Sequence, residues 1–203
     1  MTSVDPATAP IPVEPAHVES RILSVGSYLL AAAATFFFVA FLFAFLYLRA
    51  LNSNGLWGGP RPHHHVSVPT GSGIAVLVCV LASVALVRLA VLELRGRRRP
   101  LWLPAGAAAL LLGLAAVAVQ CWQYTDLGFG TEEGGYASVY LGWTGFFSIF
   151  AFGAMLWLES NLLTARRNPA AVNPERDLSS FFVFWATLGA VEIAAFVLLY
   201  GVK

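Results

Sequence analysis

The 203-residue chain alternates long apolar stretches with short polar ones. At about 1.5 Å of rise per residue, roughly 20 apolar residues in a helix cross a hydrocarbon core of about 30 Å. Five stretches reach that length: Ile22 to Ala50, Ser72 to Leu94, Leu101 to Gln123, Tyr136 to Leu163 and Ser180 to Val202. The pattern therefore predicts an all-α integral membrane bundle of five transmembrane helices. Residues 1–20 are rich in Pro and Ala, carry Asp5, Glu14 and Glu19, and lack apolar periodicity, so they are expected to form a disordered N-terminal tail. The first span is not expected to be a cleaved signal. Its 29 apolar-stretch residues exceed the roughly 7–15 of a signal h-region, and the segment before it is acidic rather than basic.

Positively charged loops stay cytoplasmic, so the arginines orient the bundle. Arg21, Arg95, Arg97, Arg98, Arg99, Arg166, Arg167 and Arg176 fall on the side of the N-terminus in a five-span topology, against Arg49, Arg61 and Lys203 on the other. The expected topology is N-terminus cytoplasmic and C-terminus outside. Tyr47, Trp57, Trp122, Tyr124, Tyr136 and Tyr200 gather at the outer ends, as interfacial aromatic residues do. Pro104 falls in the first turn of the third helix, where its missing N–H is harmless. Ala105, Ala109 and Gly113 on that helix, and Ala40 with Ala44 on the first, recur every four residues and offer small surfaces for close backbone approach.

Composition agrees: 58% of residues are hydrophobic and 11% charged, too little polar surface to cover a soluble domain. A net charge of +1 supplies no field for neutralising phosphates, which excludes nucleic acid as a partner. Cys79 and Cys121 each lie inside an apolar run, form no Cys-x-x-Cys pair, and are expected to be packing residues.

The candidate chemistry is sparse. His17 lies in the tail, His63, His64 and His65 lie in an outer loop, and no histidine lies in any span, which excludes a bis-histidine haem, a binuclear copper site or a di-iron Glu-x-x-His site within the bundle. Adjacent histidines converge poorly on one ion, so His63 to His65 are expected to be a solvated loop. No nucleotide loop or Gly-x-Ser-x-Gly motif is present. Arg88, Glu93 and Glu159 sit near helix ends, within snorkelling reach of headgroups. Glu192 differs. It falls at the middle of the stretch Ser180 to Val202, where a charge costs about 2.5–3.5 kcal/mol or more, so it must be protonated, paired or turned toward a polar interior.

From the third helix onward the chain resembles subunit III of the haem-copper oxidases, the cytochrome c and quinol oxidase group. The resemblance rests on Gln120-Cys121-Trp122-Gln123-Tyr124, then Gly135 to Tyr140, Thr144-Gly145-Phe146 and Gly153, similar to the family's run into its Thr-Gly-Phe-His-Gly-x-His helix. Trp185 and Tyr200 fall where the family's last helix has a Trp and a terminal Tyr, and Phe36 to Phe38 with Leu42 to Phe45 resemble its Phe-rich first helix in five-helix forms. Phe147 and Phe150 stand at the family's two histidines, Ala186 and Gly189 at its His and Asp, and Gln123 and Thr35 where carboxylates are usual. Glu192, three residues past Gly189, returns a carboxylate to nearly the same face.

The resemblance implies a non-catalytic partner of oxidase subunits I and II, where haem and copper reside, that packs against subunit I, holds phospholipid between its helices, and sustains turnover. It leaves no catalytic, cofactor or metal residue in this chain, with Glu192, Trp185, Gln123, Thr144 and Gly145 as the functional or packing positions. Gly145 is expected to admit a neighbouring helix, and the Thr144 hydroxyl to bond back to the Tyr140 carbonyl. A nitric oxide reductase accessory protein of the same superfamily is one alternative. A small independent transporter using Glu192 is another, although five helices without internal repeats argue against it. For the topology, a cysteine placed in the Arg97 loop is expected to be shielded from an impermeant thiol reagent in intact cells while one placed near Glu132 reacts. Labelling of the first without the second would overturn the five-span reading.

Overall fold

The computed structural model describes residues 16–52, 57, 68–96, 101–168 and 173–201, with side chains from residue 21 onward; His63, His64 and His65 lie outside this set. The described residues form five α-helices, α1 (Ala16–Ala50), α2 (Thr70–Arg95), α3 (Trp102–Asp126), α4 (Gly135–Arg167) and α5 (Pro174–Phe196), the last continuing as a π-helical turn over Val197–Gly201. All five are long and apolar enough to cross a membrane.

Several boundaries lie outside the apolar stretches that announced them. Helix α1 is already formed at Ala16, so the expected tail loses its last five residues to the helix. Helix α5 begins at Pro174 rather than Ser180 because its first turn is built from capping chemistry. The Asn173 side chain accepts from the Arg176 backbone N–H at 3.4 Å, Pro174 occupies the first helical position, and Glu175 and Asp177 sit at the positive end of the helix dipole. Helix α4 starts after Gly134, whose φ of 130° favours glycine, and runs 33 residues to Arg166 and Arg167 in its last turn. At about 1.5 Å per residue α4 is roughly 50 Å long and extends past a 30 Å hydrocarbon core.

Helices α2 and α3 share the most extensive interface, and α5 lies at the centre of the bundle against α1, α2 and α4. Lipid tails are as apolar as leucine, so close contact rather than water exclusion must hold such helices together. The buried stripe of α3 is accordingly small: Ala105, Gly106, Ala109, Gly113 and Ala116. A Cβ at Gly113 would collide with Met155 Sδ of α4, and one at Gly106 would lie 2.7 Å from Leu162 Cδ2. The second expected small surface does not serve as an internal seam. Ala40 is exposed and Ala44 half-buried, because α1 turns Ser27, Ala31, Ala34, Phe38 and Phe45 inward instead. Its Phe37 and Phe38 interlock with Phe150 of α4, and Phe38 also meets Trp143 and Phe147.

Gly113→Leu is expected to destabilise the purified protein by about 1–3 kcal/mol through overpacking against Met155. Adding Met155→Ala should return part of that loss, read from unfolding in mild detergent. Equal stability of Gly113→Leu and the unmodified chain would contradict the tight α3–α4 contact.

Candidate functional site

The end of α3, the start of α4 and the end of α5 meet at one end of the bundle, and there the interior becomes polar. Tyr136, Tyr140, Thr144 and Ser148 recur every fourth residue, so α4 presents them as one buried row. Gln120 and Gln123 of α3 are buried as well, at 4% and 3% exposure. The Tyr124 hydroxyl donates to Thr144 Oγ1 at 2.8 Å, and Thr144 Oγ1 donates in turn to the Tyr140 carbonyl at 2.7 Å, the back-bond expected from the sequence. Ser148 makes the same bond to the Thr144 carbonyl at 2.9 Å.

Tyr200 joins the third helix to this row. Gln120 Nε2 donates to Gln123 Oε1 at 3.3 Å, Gln123 Nε2 donates to the Tyr200 hydroxyl at 3.4 Å, and the Tyr200 and Tyr140 hydroxyls lie 3.1 Å apart. Gly73 of α2 makes room for the phenol ring, since a Cβ there would strike it. The Tyr136 hydroxyl donates to the Leu199 carbonyl at 2.6 Å within the π turn. A second interhelical link lies deeper. Trp185 Nε1 of α5 donates to Ser83 Oγ of α2 at 3.1 Å, and Ser83 Oγ donates to the Ala109 carbonyl of α3 at 2.7 Å, so one hydroxyl ties three helices.

Of the five residues singled out from the sequence, Gln123 and Thr144 lie within the polar cluster, and Trp185 is fully buried at the deeper link. Glu192 is 7% exposed and shares the buried stripe of α5 with Trp185 and Gly189. Measured along the helix from Pro174 to Gly201, Glu192 lies about one turn past the middle, toward the Gly201 end. Among the described residues it makes no hydrogen bond or ion pair. Gly145 does not admit a neighbouring helix: a Cβ there would meet only the Tyr124 hydroxyl, at an ordinary 3.8 Å. The tight position on α4 is Gly142, where a Cβ would lie 2.8 Å from Phe41 Cε1.

Sequence reasoning missed Ser83 and Tyr140, and took Tyr124, Tyr136 and Tyr200 for interfacial residues. The four-residue spacing from Tyr136 to Ser148 is the signal that could have shown the row. Among the described residues no group of three or more His, Cys, Asp or Glu is placed to hold a metal.

This arrangement can brace helices and relay hydrogen bonds from one helix to the next. The chain is 24% identical over 196 residues to a protein named cytochrome c oxidase subunit 3 from Thermostichus vulcanus, a match covering 94% of this chain and 92% of that protein. The similarity supports a distant subunit III relationship. No family model matches the chain. That match spans most of this chain. It lends no support to either alternative weighed from the sequence, the reductase accessory protein or the transporter.

Tyr200→Phe leaves the Gln123 amide and the Tyr140 hydroxyl without their partner, and an unsatisfied buried polar group costs about 1–3 kcal/mol. The variant is expected to lose stability of that size. Gln123→Leu in the same chain should then add less than it does alone. Strict additivity of the two changes would show that the side chains do not interact.

Proposed function

We propose that the chain is the non-catalytic subunit III of a haem-copper terminal oxidase in a bacterial cell membrane, working in aerobic respiratory electron transport. The observation that carries this reading is similarity to a protein named cytochrome c oxidase subunit 3 along 94% of the chain. Its partners are subunits I and II, which hold the haem and copper, while this chain packs against subunit I and prolongs turnover. The absence of histidine from every span fits that division of labour. The N-terminus faces the cytoplasm and the C-terminus the outside, as the arginine distribution indicates.

Bound phospholipid belongs to the same reading. A cavity of about 330 Å³ opens between α1, α2 and α5 at the end of the bundle that carries Arg95, and its walls include Ser24, Tyr28, Arg95, Arg176 and Ser179. Arg95 there pairs with Glu175 at 3.3 Å and donates to Ser179 Oγ at 3.2 Å. Guanidinium, carboxylate and hydroxyl groups at headgroup depth suit a phospholipid head.

Glu192 is the proposed position of consequence within the span. Glu192→Gln keeps size and hydrogen bonding, so assembly should persist while oxygen uptake declines earlier than normal during sustained turnover. Glu192→Leu should in addition weaken association with the partner subunit if the carboxyl satisfies a neighbour there. The reading as a whole is tested by deleting the chain: membranes should retain initial oxygen uptake and lose it faster under continuous turnover. Unchanged uptake throughout would overturn it.

A further inference from the structure

The outer face of α3 and α4 carries a carboxylate in an apolar setting. The two helices run antiparallel, since Gly113 meets Met155 while Gly106, earlier on α3, meets Leu162, later on α4. Counting four residues onward from that second contact sets Trp102, the first residue of α3, level with Arg166 of α4. An indole and a guanidinium at one level mark the interface with the headgroups. Glu159 lies two turns inside that level, about 10 Å at 1.5 Å of rise per residue. Counted from Leu163, where the apolar stretch ends, it falls nearer the surface, but α4 continues to Arg167.

Glu159 is exposed on the outside of the bundle, and among the described residues it makes no hydrogen bond or ion pair. Snorkelling works against its geometry. The Cα–Cβ bonds of α4 tilt toward the helix N-terminus, away from the Arg166 level, and a glutamate lacks the long stem of lysine or arginine. A cavity of about 450 Å³ runs between the two helices beside it, walled by Leu103, Ala107 and Leu110 on α3 and by Leu162 and Leu163 on α4, with Arg166 at its mouth. The cavity lies between two exposed rows of alternating three- and four-residue spacing, Ala107, Leu111 and Leu114 on α3 and Leu156, Glu159 and Leu163 on α4. Rows so spaced can seat a third helix, and the small Ala107 lets its backbone come close. A phospholipid suits the groove less well, because its acyl chains bring no donor to Glu159 and its phosphate stays at headgroup depth, where Arg166 lies.

We propose that the α3–α4 groove receives a transmembrane helix of a partner subunit, and that this helix carries a lysine or arginine which pairs with Glu159. Charges placed within a span are accommodated by pairing with one another, and the groove supplies the negative member. That the partner is an oxidase subunit rests on the subunit III reading; the docking face does not.

The test uses the full chain in its native membrane, with a photoreactive amino acid placed at Leu163 in the groove or, for comparison, at Leu92 on the exposed face of α2. Irradiation at Leu163 is expected to join the chain to one other membrane protein, at a peptide within two turns of a Lys or Arg in a transmembrane segment. Glu159→Leu should lower the yield of that product at least about tenfold, the cost of leaving one member of a desolvated charge pair alone. Glu159→Gln, which keeps a hydrogen-bond acceptor, should lower it less. Lipid adducts alone at Leu163, a product with a second copy of this chain, or an undiminished yield in Glu159→Leu would each overturn the proposal. A haem-bearing partner joined from Leu92 alone would overturn it and leave the oxidase reading standing, whereas a Glu159-dependent product with a protein outside any haem complex would support the docking face and remove the oxidase reading.

Discussion

A helix bundle in lipid has no water to escape from, so a polar side chain carried inward gains most from a partner inside the protein. That constraint decides where Ser83, Trp185, Tyr140 and Tyr200 point. Ser83 Oγ accepts from the Trp185 indole N–H and donates to the Ala109 carbonyl, which fixes α2, α3 and α5 in one register. Tyr200 does the same for α3, α4 and α5 at the end of the bundle through Gln123 and Tyr140. Between these two nodes the contacts are steric: Gly189 against Val84, and Gly113 against Met155.

The two devices depend on each other. Small residues let the backbones approach, and only at that distance can one hydroxyl reach groups on two other helices. Gly73 is the plainest instance, because the Tyr200 ring occupies the place a side chain at position 73 would fill. The π turn is another, since it presents the Leu199 carbonyl to the Tyr136 hydroxyl while carrying Tyr200 inward. A bundle held in this way can brace a partner subunit without itself containing a reactive centre, which is what the subunit III reading requires.

The number and type of the helices were legible because a hydrophobic stretch long enough to span is a strong signal, and α2 and α3 lie within a few residues of the stretches that announced them. The start of α5 was not, because Glu175, Arg176 and Asp177 break the apolar run while the cap at Asn173 extends the helix through them. An inward-facing Glu192 followed from the cost of a charge within the span, whereas the cluster around Tyr140 had no such signal. A tyrosine near a helix end has two destinations, the headgroup region or the bundle interior, and which one it takes depends on the hydroxyls of other helices. Gly145 failed for a related reason: a glycine in sequence marks permission for close approach, and the neighbour that uses it sits instead at Gly142.

The bundle's role as a companion to a catalytic subunit is tested most directly by isolating the chain from its native membrane in mild detergent and recording a reduced-minus-oxidised visible spectrum of what elutes with it. Partner subunits and a haem spectrum in fixed proportion to the chain are the expected result. Elution of the chain alone, or with partners that carry no haem, would contradict it.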